Sequence, residues 1–455
     1  ESSPNLPSPR SPGARFTFAY ALQRKLKGFV PRATEDRNVL FVALDGIALG
    51  LTTAASAFLS VFVVRLGASA FWVSMLTSVP ALIHLALALP ASRFIERRRQ
   101  VVPLFARTRI LAHSTYFLTG LVPFFLVGPQ AAQGIVVLWG FAAVLTSFSN
   151  LAFTLVMSRA VGRERRAVLM SSRWTAMGVS KIIVVALAGQ ILDRLPFPLN
   201  YQIVFMASFS ADLLAYYFIS QVQNPDQEPA ARTAGPSEPL LARLKSLVCE
   251  VIQCKPFMRF SLARNVFWLG IETVAPLIPI YWVKNLQASD AWVSYFTTTV
   301  SVTTMLAYGF WVRMKRRRGN RYVLLAGILG RSLYPLLVAL APSSPIMLLV
   351  AAFNGVTFAS ENLMFFDAFL DTIPKGREAR FVAMNQTISN SIAFLAPPLG
   401  AFLLPYLGIR PLFMLGSGVA LTGFLFFWLG GVAKESQRTV EASGRPANAG
   451  RLSVL

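Results

Sequence analysis

Six ionisable side chains stand inside long apolar stretches of this chain: Asp45, Lys181, Asp212, Glu272, Arg331 and Glu361. An ionisable group at bilayer depth is expensive unless paired or hydrated, so each needs a reason to be there. A carboxyl in a partly dry cavity can load and release a proton as the cavity opens to one face and then the other. Glu272, Glu361 and Asp45 are the candidates for that task, although Asp45 lies early in its stretch, close enough to one face to be interfacial. The competing reading is a structural pair with Arg264, Arg331 or another buried base. Lys181 could pair with Asp45, Glu272 or Glu361, or hold an anionic solute. Asp212, His84 and His113 read as packing residues, and Arg107, Arg109, Arg159 and Arg173 as headgroup or gate charges.

Uncharged side chains on the same stretches could line a solute cavity, chiefly Thr53, Asn150, Trp268, Asn354 and Asn385. Polar residues on spanning helices serve equally well as helix–helix contacts. Cys249 and Cys254 have neither metal-ligand spacing nor a disulfide framework, and no Gly-rich loop suits a nucleotide, so no metal or cofactor is expected.

Such residues need elements to hold them. Charged residues are only 14% of the 455 and apolar ones 55%, far from the balance of a soluble domain. Apolar runs long enough to cross a hydrocarbon core as helices recur throughout, without the alternation of a membrane barrel. Spans are expected at 39–64, 71–92, 101–126, 131–157, 168–192, 200–221, 259–284, 290–312, 321–341, 345–370, 381–405 and 410–433. Pro276 and Pro279, and Pro397 and Pro398, should kink or break their helices.

The net charge of +23 suggests nucleic acid until its placement is considered. Arg93, Arg97, Arg98 and Arg99 follow the second span; Arg313, Lys315, Arg316, Arg317 and Arg318 follow the eighth. Arg163, Arg165 and Arg166 follow the fourth span, and Lys375, Arg377 and Arg380 the tenth. The alternate loops hold little beyond Arg65, Arg194, Lys284 and Arg410. Basic loops stay in the cytoplasm, so both termini and the central linker are expected inside a cell membrane, their bases facing anionic lipids. The first 35 residues lack the apolar core of a cleavable leader. The chain thus divides into a basic tail (1–35), a six-helix half (36–221), a linker with a possible amphipathic helix (222–258), a second half (259–433) and a second tail (434–455).

The halves repeat. At a spacing of 220, Leu66, Ala68 and Ser69 meet Leu286, Ala288 and Ser289, and Trp72, Val73 and Ser74 meet Trp292, Val293 and Ser294. Arg93, Arg97 and Arg98 meet Arg313, Arg317 and Arg318. At 214, Gly162, Arg163, Glu164 and Arg166 meet Gly376, Arg377, Glu378 and Arg380. A shift of six spans preserves orientation, so these are parallel repeats about an axis along the membrane normal, able to rock around a midplane site.

With this pattern the chain resembles the major facilitator superfamily over roughly residues 36–434. That family carries a basic loop of the form G-x-x-x-D-R-x-G-R-R after spans two and eight. Here the second copy reads Gly309 to Gly319 and the first Ala88 to Arg98, both degenerate, with Ser92 where the first acidic residue would stand. The resemblance implies an all-α membrane protein of about twelve helices in two pseudo-symmetric halves around a central cavity, acting as a monomer. Spans seven and ten, which carry Glu272 and Glu361, would border that cavity, and Asp367 or Asp371 could stand in for the missing loop acid in a gate formed with the basic loops. The function expected is proton-coupled carriage of a small organic solute by alternating access, with export preferred because the cavity is mostly apolar. Uptake of a sugar or organic acid, or lipid movement on the same fold, stays open. A membrane-embedded lipid enzyme is a weaker alternative: Asp367 and Asp371 give D-x-x-x-D, but no second acidic cluster accompanies it.

Overall fold

The computed structural model describes residues 33–96, 98–224, 250–374 and 377–430, and every regular element among them is helical. The first half runs α1 (Thr34–Arg65), α2 (Ala70–Glu96), α3 (Val102–Phe125), α4 (Gly128–Arg159), α5 (Arg166–Arg194) and α6 (Leu199–Ser220). In the second half α7 (Lys255–Val274) comes first and a 51-residue helical stretch (Asp290–Leu340) follows. Then come α10 (Ser344–Leu370), α11 (Glu378–Leu407) and α12 (Ile409–Leu429). In lipid the backbone must satisfy its own polar groups, which leaves the helix as the economical answer for runs this apolar. Ten of the helices, the 51-residue stretch counted once, are long and apolar enough to cross a membrane.

That stretch is two spans. Gly319 adopts φ 82° and ψ 170°, a region essentially reserved for glycine, and divides it into α8 (290–318) and α9 (320–340). Side-chain bonds to α10 show the reversal. Thr304 Oγ1 donates to Gly355 O (3.0 Å), Trp311 Nε1 to Val356 O (2.7 Å), and Lys315 Nζ to Asp367 Oδ2 (2.7 Å), so α8 and α10 climb together. Ser360 Oγ donates to Val323 O (2.6 Å) while Arg331 reaches back to Asn354, so α9 descends. The expected loop after span eight is therefore helical through Arg318. Lys and Arg are good helix formers and extend the helix past its apolar part.

Prolines divide in their effect. α7 ends at Ala275 and Pro276, then continues as a short helix (Leu277–Ile280) and a π turn (Tyr281–Asn285). By contrast α11 runs unbroken through Pro397 and Pro398, so of the two expected outcomes the break does not occur there. One carbonyl orphaned there, Ala393 O, faces Ser78 Oγ of α2 at 3.5 Å, the kind of neighbouring donor that lets a membrane helix keep a proline. The tails, Arg97, residues 375–376 and the linker from 225 to 249, which holds most of the expected amphipathic helix, lie outside the described residues, while 250–253 are helical.

The halves meet through α2 against α11 and α5 against α8. Their cores are arranged unequally along the bundle. At the end away from the termini, one apolar cluster joins both halves, from Phe58, Phe62, Val185 and Tyr201 to Tyr281, Phe296 and Phe413. At the end bearing the termini and the basic loops, each half keeps its own cluster, around Phe105 and Val156 in the first and Phe257 and Phe381 in the second. The molecule is closed at its far end and divided at its basic end.

Candidate functional site

Four groups of polar residues stand on this frame. The far end is closed by a clasp between halves. Arg65 Nε lies 2.9 Å from Asp290 Oδ1, and its Nη2 donates to Ala288 O (2.9 Å). Tyr201 Oη donates to the same Asp290 oxygen (2.6 Å). Asp193 accepts from Ser289 Oγ (2.8 Å) and from the backbone N–H of Ala291 (3.0 Å), while Gln190 donates to Tyr295 Oη (2.9 Å). None of these residues stood among the sequence candidates. A signal was present: Ser289 repeats Ser69, but the next residue changes from Ala70 to Asp290, and that departure from the repeat supplies Arg65 with its partner.

Within the first half, Asp45 on α1 is wholly buried between Arg109 of α3 (2.6 Å) and Arg173 of α5 (3.2 Å). Arg109 and Arg173 are each only 4% exposed, which turns them away from lipid headgroups and leaves the gate reading. Arg107 and Arg109 stand two residues apart on one helix, about 200° around it, so Arg107 is exposed while Arg109 is buried. Beside this cluster is a cavity of about 210 Å³, whose walls include Arg109, Arg173, His113, Asn150 and Trp174. His113 Nδ1 also lies 2.8 Å from the buried Asp212 of α6. Thr53 spends its hydroxyl on Gly50 O (2.5 Å) of its own helix.

The second half holds the counterpart. Arg331 of α9 lies 222 residues beyond Arg109, and its Nε is 3.3 Å from Glu361 Oε2 of α10. Both halves thus carry an arginine in their third helix, but its carboxylate comes from the first helix in one and the fourth in the other. Arg331 also donates to Asn354, which is therefore buried in the ion pair. Glu272 is half-buried on α7, within electrostatic reach of Arg331 and Glu361. Arg264 donates to Ser389 Oγ (2.7 Å) and reaches Asn385 Oδ1 (3.5 Å) on α11, with Trp268 beside it, 6.0 Å from guanidinium to ring centroid. Glu361, Glu272, Trp268, Asn354 and Asn385 thus gather around two arginines. Lys181 joins none of them and has no ion-pair partner among the described residues.

At the basic end the following ties lie inside each half. Arg165 pairs with Glu35 (3.3 Å) and Asp36, and Glu35 accepts from Gly162 N (2.9 Å). In the second half Arg377 (2.8 Å) and Arg380 (3.0 Å) hold Glu250, which stands 214 residues beyond Asp36. Lys315 pairs with Asp367, putting an ammonium where a metal-dependent lipid enzyme would need its ion. Asp371 is one turn on, its carboxyl pushed above the usual range by burial and then by Asp367, with Lys315 opposing. Arg313, Arg317 and Arg318 are exposed, Arg318 lying over Tyr322 and Arg98 over Phe94. Arg93 lies on α2.

These features define a multi-pass, all-helical membrane protein in two six-helix halves, closed at one end and parted at the other. The sequence profile of the Major Facilitator Superfamily matches residues 260–454, most of the second half. It is 28% identical over 178 residues to the multidrug resistance protein MdtG of Serratia proteamaculans, a match taking in 36% of this chain and 42% of that protein. Against MdtG of Klebsiella pneumoniae it is 27% identical over 176 residues, again 36% of this chain and 42% of the relative. The chain therefore matches less than half the length of these curated relatives. Among solved structures, a bacterial homologue of the iron transporter ferroportin in the inward-facing state superposes with a TM-score of 0.65 at 14% identity, covering 86% of this chain and 98% of that one. A D-xylose–proton symporter superposes with a TM-score of 0.62 at 15% identity, covering 86% and 96%. At such identities the likeness is one of fold.

Proposed function

We propose that this chain is a secondary transporter that carries a small organic solute across a bacterial cytoplasmic membrane by alternating access, exchanging it for protons in the direction of export. The observation that carries the reading is the unequal core, shared between halves at the far end and split at the basic end. Bistable packing of this kind lets two rigid halves rock about a central site. The loops rich in Lys and Arg put the basic end in the cytoplasm, so this conformation faces inward. There Arg313, Arg317 and Arg318 meet anionic headgroups.

Glu361 is the coupling carboxyl in this account, with Glu272 as its neighbour. Protonating Glu361 cancels its attraction for Arg331 and frees that guanidinium to lean on Asn354 or on solute. Deprotonation restores the pair. Export is preferred because the relatives are named for multidrug resistance.

The test is proton movement in proteoliposomes under an imposed pH gradient, with a panel of neutral, cationic and anionic solutes. Wild type should show solute-dependent proton flux, and Glu361→Gln should reduce it at least about tenfold. Equal flux in Glu361→Gln and Glu272→Gln would remove both from the coupling role. Absence of proton flux with every solute, alongside measurable solute uptake, would overturn the coupling.

A further inference from the structure

Arg109 is an arginine with too few partners. Its Nη1 is taken by Asp45 (2.6 Å), but Nε and Nη2 are buried with no acceptor. Guanidinium carries five N–H donors and no acceptor, and a buried donor left unmade is costly. Asp45 cannot supply the deficit, since its other oxygen faces Arg173 at 3.2 Å. Two guanidinium groups share one carboxylate, and no acidic residue lines the adjoining cavity. On its Arg109 and Arg173 side the pocket thus carries two cations against one carboxylate, while Asp212 lies behind the His113 wall, 2.8 Å from its Nδ1.

The rest of the cavity suits an organic body attached to an anion. Its volume, about 210 Å³, far exceeds the roughly 10–15 Å³ that a single water requires. Phe105 lies 5.2 Å from the Arg109 guanidinium, and Phe153 and Trp174 lie 4.6 and 5.5 Å from that of Arg173. These rings give flat apolar walls and hold the two cations in place. Asn150, exposed at the rim, adds a side-chain amide. Lys181 stands seven residues beyond Trp174 on α5, hence on the same helix face, and a Cβ placed on the intervening Gly178 would meet nothing within 4 Å. A third cation thus borders the approach.

We infer that this cavity binds the oxyanion of an amphipathic solute, a carboxylate or phosphate, with Arg109 as its anchor. The inference rests on the transport reading for the word solute; the binding itself requires no transport. The probes are benzoate, phenyl phosphate, benzyl alcohol and inorganic phosphate, titrated by calorimetry into the purified full chain in detergent. Benzoate and phenyl phosphate should bind about tenfold or more tightly than benzyl alcohol, and Arg109→Gln should abolish that preference. Because this variant also unbalances Asp45, a second one, Asn150→Trp, fills the rim without touching the charged trio and should weaken both anions by a similar factor. Displacement of phenyl phosphate by inorganic phosphate at equal affinity would support the oxyanion site while assigning it to a free anion. Equal affinity for benzoate and benzyl alcohol, or unchanged anion binding in both variants, would overturn it. Anion binding without flux of any solute would sink the carrier reading and leave the site standing; flux of neutral solutes with no anion preference would do the reverse.

Discussion

At the scale of single residues, buried charge decides which side chains matter. Asp45 neutralises one of two guanidinium groups that are almost fully enclosed, and removing one member of a buried ion network typically costs about 3–5 kcal/mol. Asp45→Ala should lower the thermal midpoint in detergent by far more than Asp367→Ala, whose pair with Lys315 is partly exposed and worth about 0–1 kcal/mol. Equal shifts would mean that the trio is not a structural unit. Asp371 gives a pH signature. Its folded-state carboxyl titrates above the ordinary range, chiefly through burial and Asp367, so its favourable contribution is complete below about pH 3.9 and is lost as pH rises through the raised value. Asp371→Asn should therefore raise the midpoint slightly at pH 7 and lose that advantage on acidification. A gain that persists unchanged at pH 4 would contradict this cause. The membrane-embedded acids and Arg331 are legible in the sequence because an ionisable residue stands out in an apolar run. Their pairings are not, since Asp45, Arg109 and Arg173 come from three helices and only packing brings them together. Arg109 in particular reads as a headgroup or gate charge until its burial against Asp45 is seen.

Among the elements, the sequence marks spans well and breaks poorly. Apolar length defines the helices, but the turn between α8 and α9 lies inside a run of excellent helix formers, and only the positive φ of Gly319 reverses the chain. Gly319→Ala would force a side chain into a glycine region at about 1–3 kcal/mol, and the variant should express poorly or melt earlier than Gly309→Ala, where an added Cβ meets nothing within 4 Å. Comparable behaviour of the two would show that the turn is not strained. Prolines mislead for a related reason: Pro276 breaks α7, whereas Pro397 is tolerated because a side chain from the other half reaches its orphaned carbonyl. A sequence shows the missing donor but not the neighbour that compensates. Between the halves, Gly189 of α5 lets α8 approach so closely that a Cβ there would sit 2.2 Å from that of Ser294. Gly189→Leu should wedge the far end apart, seen as faster labelling of a cysteine placed at Tyr201. No change in labelling would show that α5 and α8 do not set the closure.

For the whole molecule, the internal repeat is the most informative thing in the sequence, because it reports six-helix halves directly. Departures from the repeat are where the halves differ in their ion pairs: Asp290 replaces a small residue and makes the clasp, and the carboxylate facing the third-helix arginine moves from Asp45 to Glu361. What the sequence withholds is conformation, since both open states share nearly all their contacts within halves. Only the placement of the clasp and the shared core at one end distinguishes them. Alternating access as proposed requires that end to open during every cycle. Asp193 and Ser289, whose side chains meet at 2.8 Å across the halves, can be replaced by cysteines in a Cys249→Ser, Cys254→Ser background and joined by a short methanethiosulfonate linker that a reductant cleaves. Solute flux in proteoliposomes should stop when the linker is in place and return on reduction, while the pair of cysteines alone leaves it measurable. Flux that continues at its full rate through the linked protein would contradict alternating access between these halves.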